Sequence, residues 1–328
     1  MNSHSPSAAK QRGMAIISAL LIAAVVAVIA AGMLSRQTVL TRAVEAEQAR
    51  IVGSGVLQGG LEYSRQLLWE ARQREVLTRL DQPWARPIDD PVPGASGGRF
   101  QGRLQDLQGK FNLRNLVFDQ QVDPEQVQSF QQLCQLLGVD PALSRRISQR
   151  VIASYPQRVP GTAAAGGGTP GTFNSGRLTS PGALAQTLPP RQPMLRGLDD
   201  LRGLPGVDDA LLARLEPYVG ILPGNTWING NTASAEVLAA AVPGLSLAQA
   251  RALVAERDAG HWFINRGDFV NRLHLPFAAQ ERIKVGITSE WFLLQGQVRR
   301  EQRQITLQAL LHRPEDRMPQ VIWSRVGA

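Results

Sequence analysis

Met14 to Ser35 reads MAIISALLIAAVVAVIAAGMLS, and this stretch decides how the rest of the chain is arranged. No charged residue interrupts it before Arg36. About 20 apolar residues in a helix span a bilayer core of roughly 30 Å. The run exceeds the roughly 7–15-residue apolar core of a secretory signal peptide, and no small-x-small cleavage site with a polar start follows it. Ahead of it, Met1–Gly13 is short and polar and carries Lys10 and Arg12. Basic residues on that side place the N-terminus in the cytoplasm and the remainder across the membrane. Beyond Arg36, Val39, Ala43, Ala46, Ala49, Gly53, Val56, Gly60, Tyr63 and Leu67 recur at steps of three and four. That spacing predicts one long helix with a narrow, small-residue face, for its own globular domain or another helix. The pattern runs out near Leu80, ahead of Pro83 and Pro87, and its glycines make residues 53–60 the expected place for a bend.

The globular part follows. Arg99–Leu104 reads as a strand leading into DLQGKFNLRNL, residues 106–116. Asp123 as N-cap, Pro124 at N1 and Gly138 after the end define a helix with Val127, Phe130, Leu133 and Leu137 inward. Cys134 is then a packed thiol, and a lone cysteine excludes an internal disulfide or a cysteine zinc cluster. A second helix covers Pro141–Ile152, and residues 156–193 form a Gly/Pro-rich loop. Further helices are divided by LPGVD (204–208) and VPGLS (242–246), with Asn231 or Thr232 expected to cap the helix after INGNTA (228–233). Trp291–Arg299, Gln304–His312 and Gln320–Val326 alternate and predict an antiparallel sheet.

The junction Gly13-Met14, with its basic leader ahead of the apolar run, resembles a class III prepilin-type signal. Cleavage there, with N-methylation of Met14, leaves the helix on the mature protein. The fifth mature residue is Ser18, where most of that superfamily has a glutamate. A carboxylate in the membrane is costly without a partner, the neighbouring subunit's amine in a fibre. Ser18 therefore argues against a major fibre subunit. Taken with DLQGKFNLRNL, LEPYVGILP (215–223), INGNTA and Trp291-Phe292, in this order, the chain resembles the general secretion pathway protein K family, a minor pseudopilin of type II secretion.

The resemblance implies an α+β fold: a pilin-like transmembrane helix on a small antiparallel sheet, interrupted by a large α-helical insertion. The expected divisions are a leader 1–13, a transmembrane segment 14–35 and a periplasmic helix 36–82. Residues 83–118 and 286–328 are expected to form the sheet, and 119–285 the inserted domain. It also implies a tip subunit of the pseudopilus, initiating or capping the fibre that drives export of folded proteins. The implied partners are minor pseudopilins I and J, the prepilin peptidase and inner-membrane lipid, with the C-terminal domain periplasmic. Neither nucleic acid nor a small-molecule substrate is expected. Family members commonly carry an acidic loop associated with calcium after the second short helix. Here that segment reads QRVIASYPQR (149–158), and no acidic residue lies between Asp140 and Asp199. Calcium needs six to eight oxygens, several of them carboxylates, so no metal or other cofactor is expected.

Two other functional classes compete with this one. The Pro-Gly helix pairs, with Arg257 beyond, also resemble the helix-hairpin-helix modules of membrane-anchored DNA-uptake proteins. Phosphate binding there needs a second glycine, and Asp208 and Ser246 occupy those positions. Catalysis is not expected. No His-Glu-x-x-His or Walker lysine motif occurs, the Gly-x-Ser-x-Gly match at Gly94–Gly98 belongs to a Pro/Gly-rich turn before a strand instead of a strand-to-helix elbow, and His4, His261, His274 and His312 are the only histidines. The net charge of +8 resolves into Lys10 and Arg12 of the leader plus an acid-free segment, 141–198, carrying seven arginines. The rest of the mature chain sums to −1.

Overall fold

The computed structural model describes residues 8–89, 99–159, 186–274, 282–300 and 303–327. Helix α1 runs unbroken from Ala8 to Arg74, through the glycines where a bend was expected. Its end precedes the fading of the sequence pattern at Leu80, and a 3-10 turn at Pro83–Ala85 follows. Down the chain come β1 (Arg99–Asp106), β2 (Phe111–Asn112), β3 (Val117–Phe118) and β4 (Gln121–Val122). Helices α2 (Pro124–Leu136) and α3 (Pro141–Ile152) follow, then β5 (Gln157–Val159) and β6 (Gln186–Leu188). Next are α4 (Asp209–Leu215), β7 (Val219–Gly220), β8 (Ile228–Asn229), α5 (Ala235–Ala241), α6 (Leu247–Asp258) and α7 (Arg266–Arg272). The chain closes with β9 (Val285–Gly286), β10 (Trp291–Arg300), β11 (Arg303–His312) and β12 (Gln320–Gly327).

Strands β1, β10, β11 and β12 form one antiparallel sheet in that spatial order. The first strand is therefore separated from its sheet neighbour by nearly two hundred residues, which is the signature of an insertion. Two cores result. In the first, α1 packs on the sheet through Val56, Leu57, Leu61, Leu68 and Ala71 against Phe100, Leu104, Phe292, Leu294 and Leu311. The stripe read from the sequence is right at Gly53, Val56 and Gly60, whereas Val39 before them is exposed, the side chains of Ala43, Ala46 and Ala49 lie outside the described residues, and beyond Gly60 the stripe drifts. Tyr63 is exposed and Leu67 half-buried, while Leu61, Ser64 and Leu68 face the sheet. Every third-or-fourth residue admits two adjacent faces, and only contact with the sheet chooses between them.

Phe100 explains how a helix can sit so close. A Cβ built on Gly60 would lie 2.3 Å from its ring, and one on Gly102 or Gly296 would lie 2.6 Å away. Gly102 and Gly296 are cross-strand partners in the β1–β10 register. Three missing side chains thus make the niche that one fully buried phenylalanine fills.

The second core is helical and gathers Phe130, Leu133, Cys134, Ile147, Leu212, Val237, Leu238, Phe263 and Phe269. Helix α2 is capped by Asp123 with Pro124 at N1, α3 by Asp140, and Gly138 takes a left-handed φ of 68° after α2. Burial pushes the Cys134 thiol up to about 12, consistent with a packed thiol. Phe111, Leu113, Leu116 and Val117 also belong to this core. Packing therefore puts the division after β1, ahead of the expected boundary at 118. LPGVD separates α4 from only a 3-10 turn, Leu198–Leu201, whereas VPGLS does join two helices, α5 and α6. Most of the Gly/Pro-rich loop 156–193 lies outside the described residues; its base is the β5–β6 ladder.

Candidate functional site

Two features carry the function: the outward-facing half of α1, and the joint that fixes the inserted domain to the sheet. An 18-residue stretch of mean hydropathy 2.7, none of it buried, lies within the 26-residue span Ile17–Arg42. At the α-helical rise that is about 39 Å, enough to cross a bilayer with some tilt. Ile17, Leu20, Leu21, Val28 and Met33 are all exposed, so the globular part contributes nothing to covering them. Exposed apolar surface of this extent demands lipid or a partner helix. Ser18 lies on this stretch. Gly13 and Met14 fall within α1, but their side chains lie outside the described residues.

The joint is built from the two motifs that stand out in the sequence. Asp106, at the end of β1, is buried among donors. Its Oδ2 accepts from Ser289 Oγ at 2.6 Å, Thr232 Oγ1 at 2.5 Å and Asn229 Nδ2 at 3.2 Å, and its Oδ1 from the Gln108 backbone N–H at 2.8 Å. Asn229 also donates to the Thr78 carbonyl at 3.0 Å, so INGNTA is tied to the chain just beyond α1. Arg313 closes the ring, donating to Thr78 Oγ1 and to the Ser289 carbonyl, each at 2.7 Å. Burial raises the Asp106 carboxyl above its ordinary value, against the pull of the Ser289, Thr232, Gln108 and Asn229 hydrogen bonds. Burial lowers Arg313 to about 10.

The rest of DLQGKFNLRNL stitches the insertion together. Gly109 leaves no room for a side chain, since a Cβ there would lie 2.8 Å from Thr232 Oγ1. Lys110 Nζ donates to the Glu216 carbonyl at 2.7 Å, and its ammonium pKa is lowered by burial. Asn112 Nδ2 donates to the Gly224 carbonyl at 2.8 Å, while its Oδ1 accepts from Leu222 N–H at 3.1 Å. These contacts hold LEPYVGILP, whose Val219 pairs with Phe111 in a parallel ladder. The motifs are thus two halves of one interlock. Sequence reading found both without finding that they touch, because no local pattern encodes a contact across more than a hundred residues.

That interlock corrects the predicted cap. Ser234, not Asn231 or Thr232, caps α5 by accepting from Val237 N–H. Thr232 is engaged by Asp106, and Asn231 bonds both backbone groups of Phe263.

The phosphate-binding alternative loses its donors. Asp208 accepts from Leu211 N–H at 2.8 Å, and Ser246 forms a reciprocal capping box with Gln249. The amides a phosphate would use are already satisfied by side chains, and one of these is an anion. Arg257 is buried and donates to the carbonyls of Gly230 and Ala233. The calcium-associated segment fares no better. Around Gln149–Arg158, Arg150 donates to Ser154 Oγ and to the Pro193 carbonyl, and Ala153 O accepts from Arg191 and Gln192 N–H. Guanidinium groups occupy this region, and among the described residues the carboxylate that approaches it is Asp119, 3.9 Å from Arg158, so its donor set does not fit calcium. Among the described residues no three His, Cys, Asp or Glu side chains are grouped to hold a metal ion.

Comparison with known proteins agrees with this architecture. Two family models described as type II secretion system (T2SS), protein K match residues 109–224 and 228–287. A type II secretion system protein K from Pseudomonas aeruginosa is 28% identical over 317 residues, covering 93% of this chain and 90% of the relative. One from Pectobacterium carotovorum subsp. carotovorum is 27% identical, covering 92% and 93%. The crystal structure of the GspK-GspI-GspJ complex from the enterotoxigenic Escherichia coli type 2 secretion system contains a chain of like fold. It gives a TM-score of 0.65 at 18% identity, covering 88% of this chain and 99% of that one.

Proposed function

Because the chain belongs to the type II secretion system protein K family and is a minor pseudopilin, we propose that it occupies the tip of the pseudopilus. There it initiates or caps the fibre that drives folded proteins across the outer membrane. The observation that carries this reading is one continuous helix that is exposed and almost wholly apolar over Ile17–Leu34 and is packed on its own sheet over Val56–Ala71. Such a helix serves first as a membrane anchor and then as the fibre-forming rod. The bulk of the inserted domain supports a position with no subunit above it. Ser18 supports the same position, since a first subunit needs no carboxylate to meet a predecessor's amine.

The partners under this proposal are minor pseudopilins I and J, by analogy with the complex in which the structural relative was solved. The prepilin peptidase cleaves between Gly13 and Met14 and the new amine is methylated. The helix sits once through the inner membrane, with the sheet and insertion in the periplasm. The role is mechanical and needs no cofactor and no catalytic group. Mass spectrometry of the protein purified from membranes is expected to find Met14 as the first residue, N-methylated. Recovery of an intact Met1 in a secretion-competent cell would overturn the processing assignment.

A further inference from the structure

Helix α3 and the segment that returns beside it form a positive surface that the anchoring and joining roles leave unused. Arg145 and Arg146 are exposed on α3, and Arg191, Met194 and Arg196 are exposed on the returning segment. The two pieces are held side by side: Arg191 N–H donates to the Ala153 carbonyl at 2.9 Å, and Arg150 Nη2 to the Pro193 carbonyl at 3.1 Å. Arg146 Nη1 reaches the Pro205 carbonyl at 2.6 Å. Among the described residues none of these five arginines makes an ion pair. Residues 141–198 contain no carboxylate, so the acids nearest in sequence are those of the flanking segments.

The neighbouring acids are already engaged. Asp140 and Asp208 cap α3 and α4, Asp199 and Asp209 pair with Arg202, and Asp200 accepts from the Arg196 backbone N–H at 2.6 Å. Guanidinium groups match carboxylates in a planar, two-pronged geometry, and exposed Met194 offers an apolar contact among them.

We propose that this α3 surface docks an acidic polypeptide segment of a partner protein. The surface belongs to the inserted domain, outside the apolar span Ile17–Arg42, and carries guanidinium forks suited to carboxylates, so an acidic peptide is favoured over a lipid surface. The proposal does not depend on the tip position.

The full chain in detergent, mixed with a fluorescein-labelled oligoglutamate peptide, is expected to show anisotropy-detected binding that weakens as salt rises. Replacing Arg145, Arg191 and Arg196 together by Gln removes three side chains that make no hydrogen bond among the described residues. That variant is expected to bind about tenfold more weakly, each exposed pair being modest, with an unchanged melting curve. A control set on the sheet, Arg103→Gln, Arg299→Gln and Arg325→Gln, is expected to bind like the parent. Absence of salt-sensitive binding, or an equal loss in the control set, would overturn the proposal. So would tighter, patch-dependent binding to phosphatidylglycerol vesicles or to duplex DNA than to the peptide.

Discussion

Replacing Asp106 by alanine is expected to destabilise the periplasmic part by about 3–5 kcal/mol, because it leaves buried partners without the group they were built around. Ser289, Thr232, Asn229 and the Gln108 amide all donate to this carboxylate, and it lies where the sheet, the end of α1 and the insertion meet. Asp106→Asn keeps the shape and an acceptor oxygen, so its loss is expected to be smaller. The two differ in pH dependence as well. Asp106 has a folded pKa raised by burial above the unfolded value of about 3.9. The folded state therefore holds the proton more readily than the unfolded chain. Its contribution is complete below the unfolded value and is lost as pH rises through the folded one. The parent is thus expected to gain stability over Asp106→Asn between neutral and mildly acidic pH. Urea unfolding of the chain in detergent at several pH values reads both effects.

Phe100→Ala is the second large effect, about 3–5 kcal/mol for emptying a fully enclosed aromatic site. Its coupling to Gly60 is the more telling experiment. Gly60→Ala alone raises helix propensity by about 1 kcal/mol but drives a methyl group into the Phe100 ring, costing about 1–3 kcal/mol. In the Phe100→Ala background that methyl enters a vacated space, and Gly60→Ala is expected to become neutral or stabilising. Additive losses in the double variant would show that Gly60 is not what admits the ring.

These residues also mark where sequence legibility ends. Hydropathy exposed the anchor outright, because 22 uncharged residues from Met14 to Ser35 leave a chain few choices. Period-2 alternation located β10, β11 and β12 within a residue or two, the cap Asp123 with Pro124 located α2, and α3 has the bounds its sequence predicts, Pro141–Ile152. Each of those signals is local. The glycines of α1 read as weak points for a bend, but Gly53 and Gly60 are close-contact positions, since propensity is a property of a helix alone and Ile305 and Phe100 come from strands. Asp106 likewise read as the first letter of a motif. Its role as the buried centre of the joint depends on Thr232 and Ser289, far along the chain. Asn231 and Thr232 looked like caps because their side chains suit capping, and tertiary partners claimed them first.

The tip position is the central claim, and photo-cross-linking from the periplasmic part of α1 tests it most directly. Val44 and Ile51 are exposed there, facing away from the protein's own sheet. A photoreactive residue at either position in secreting cells is expected to capture minor pseudopilins I and J, in discrete products. A regular ladder of products with the repeating fibre subunit, or with further copies of this chain, would place it along the shaft and contradict the account.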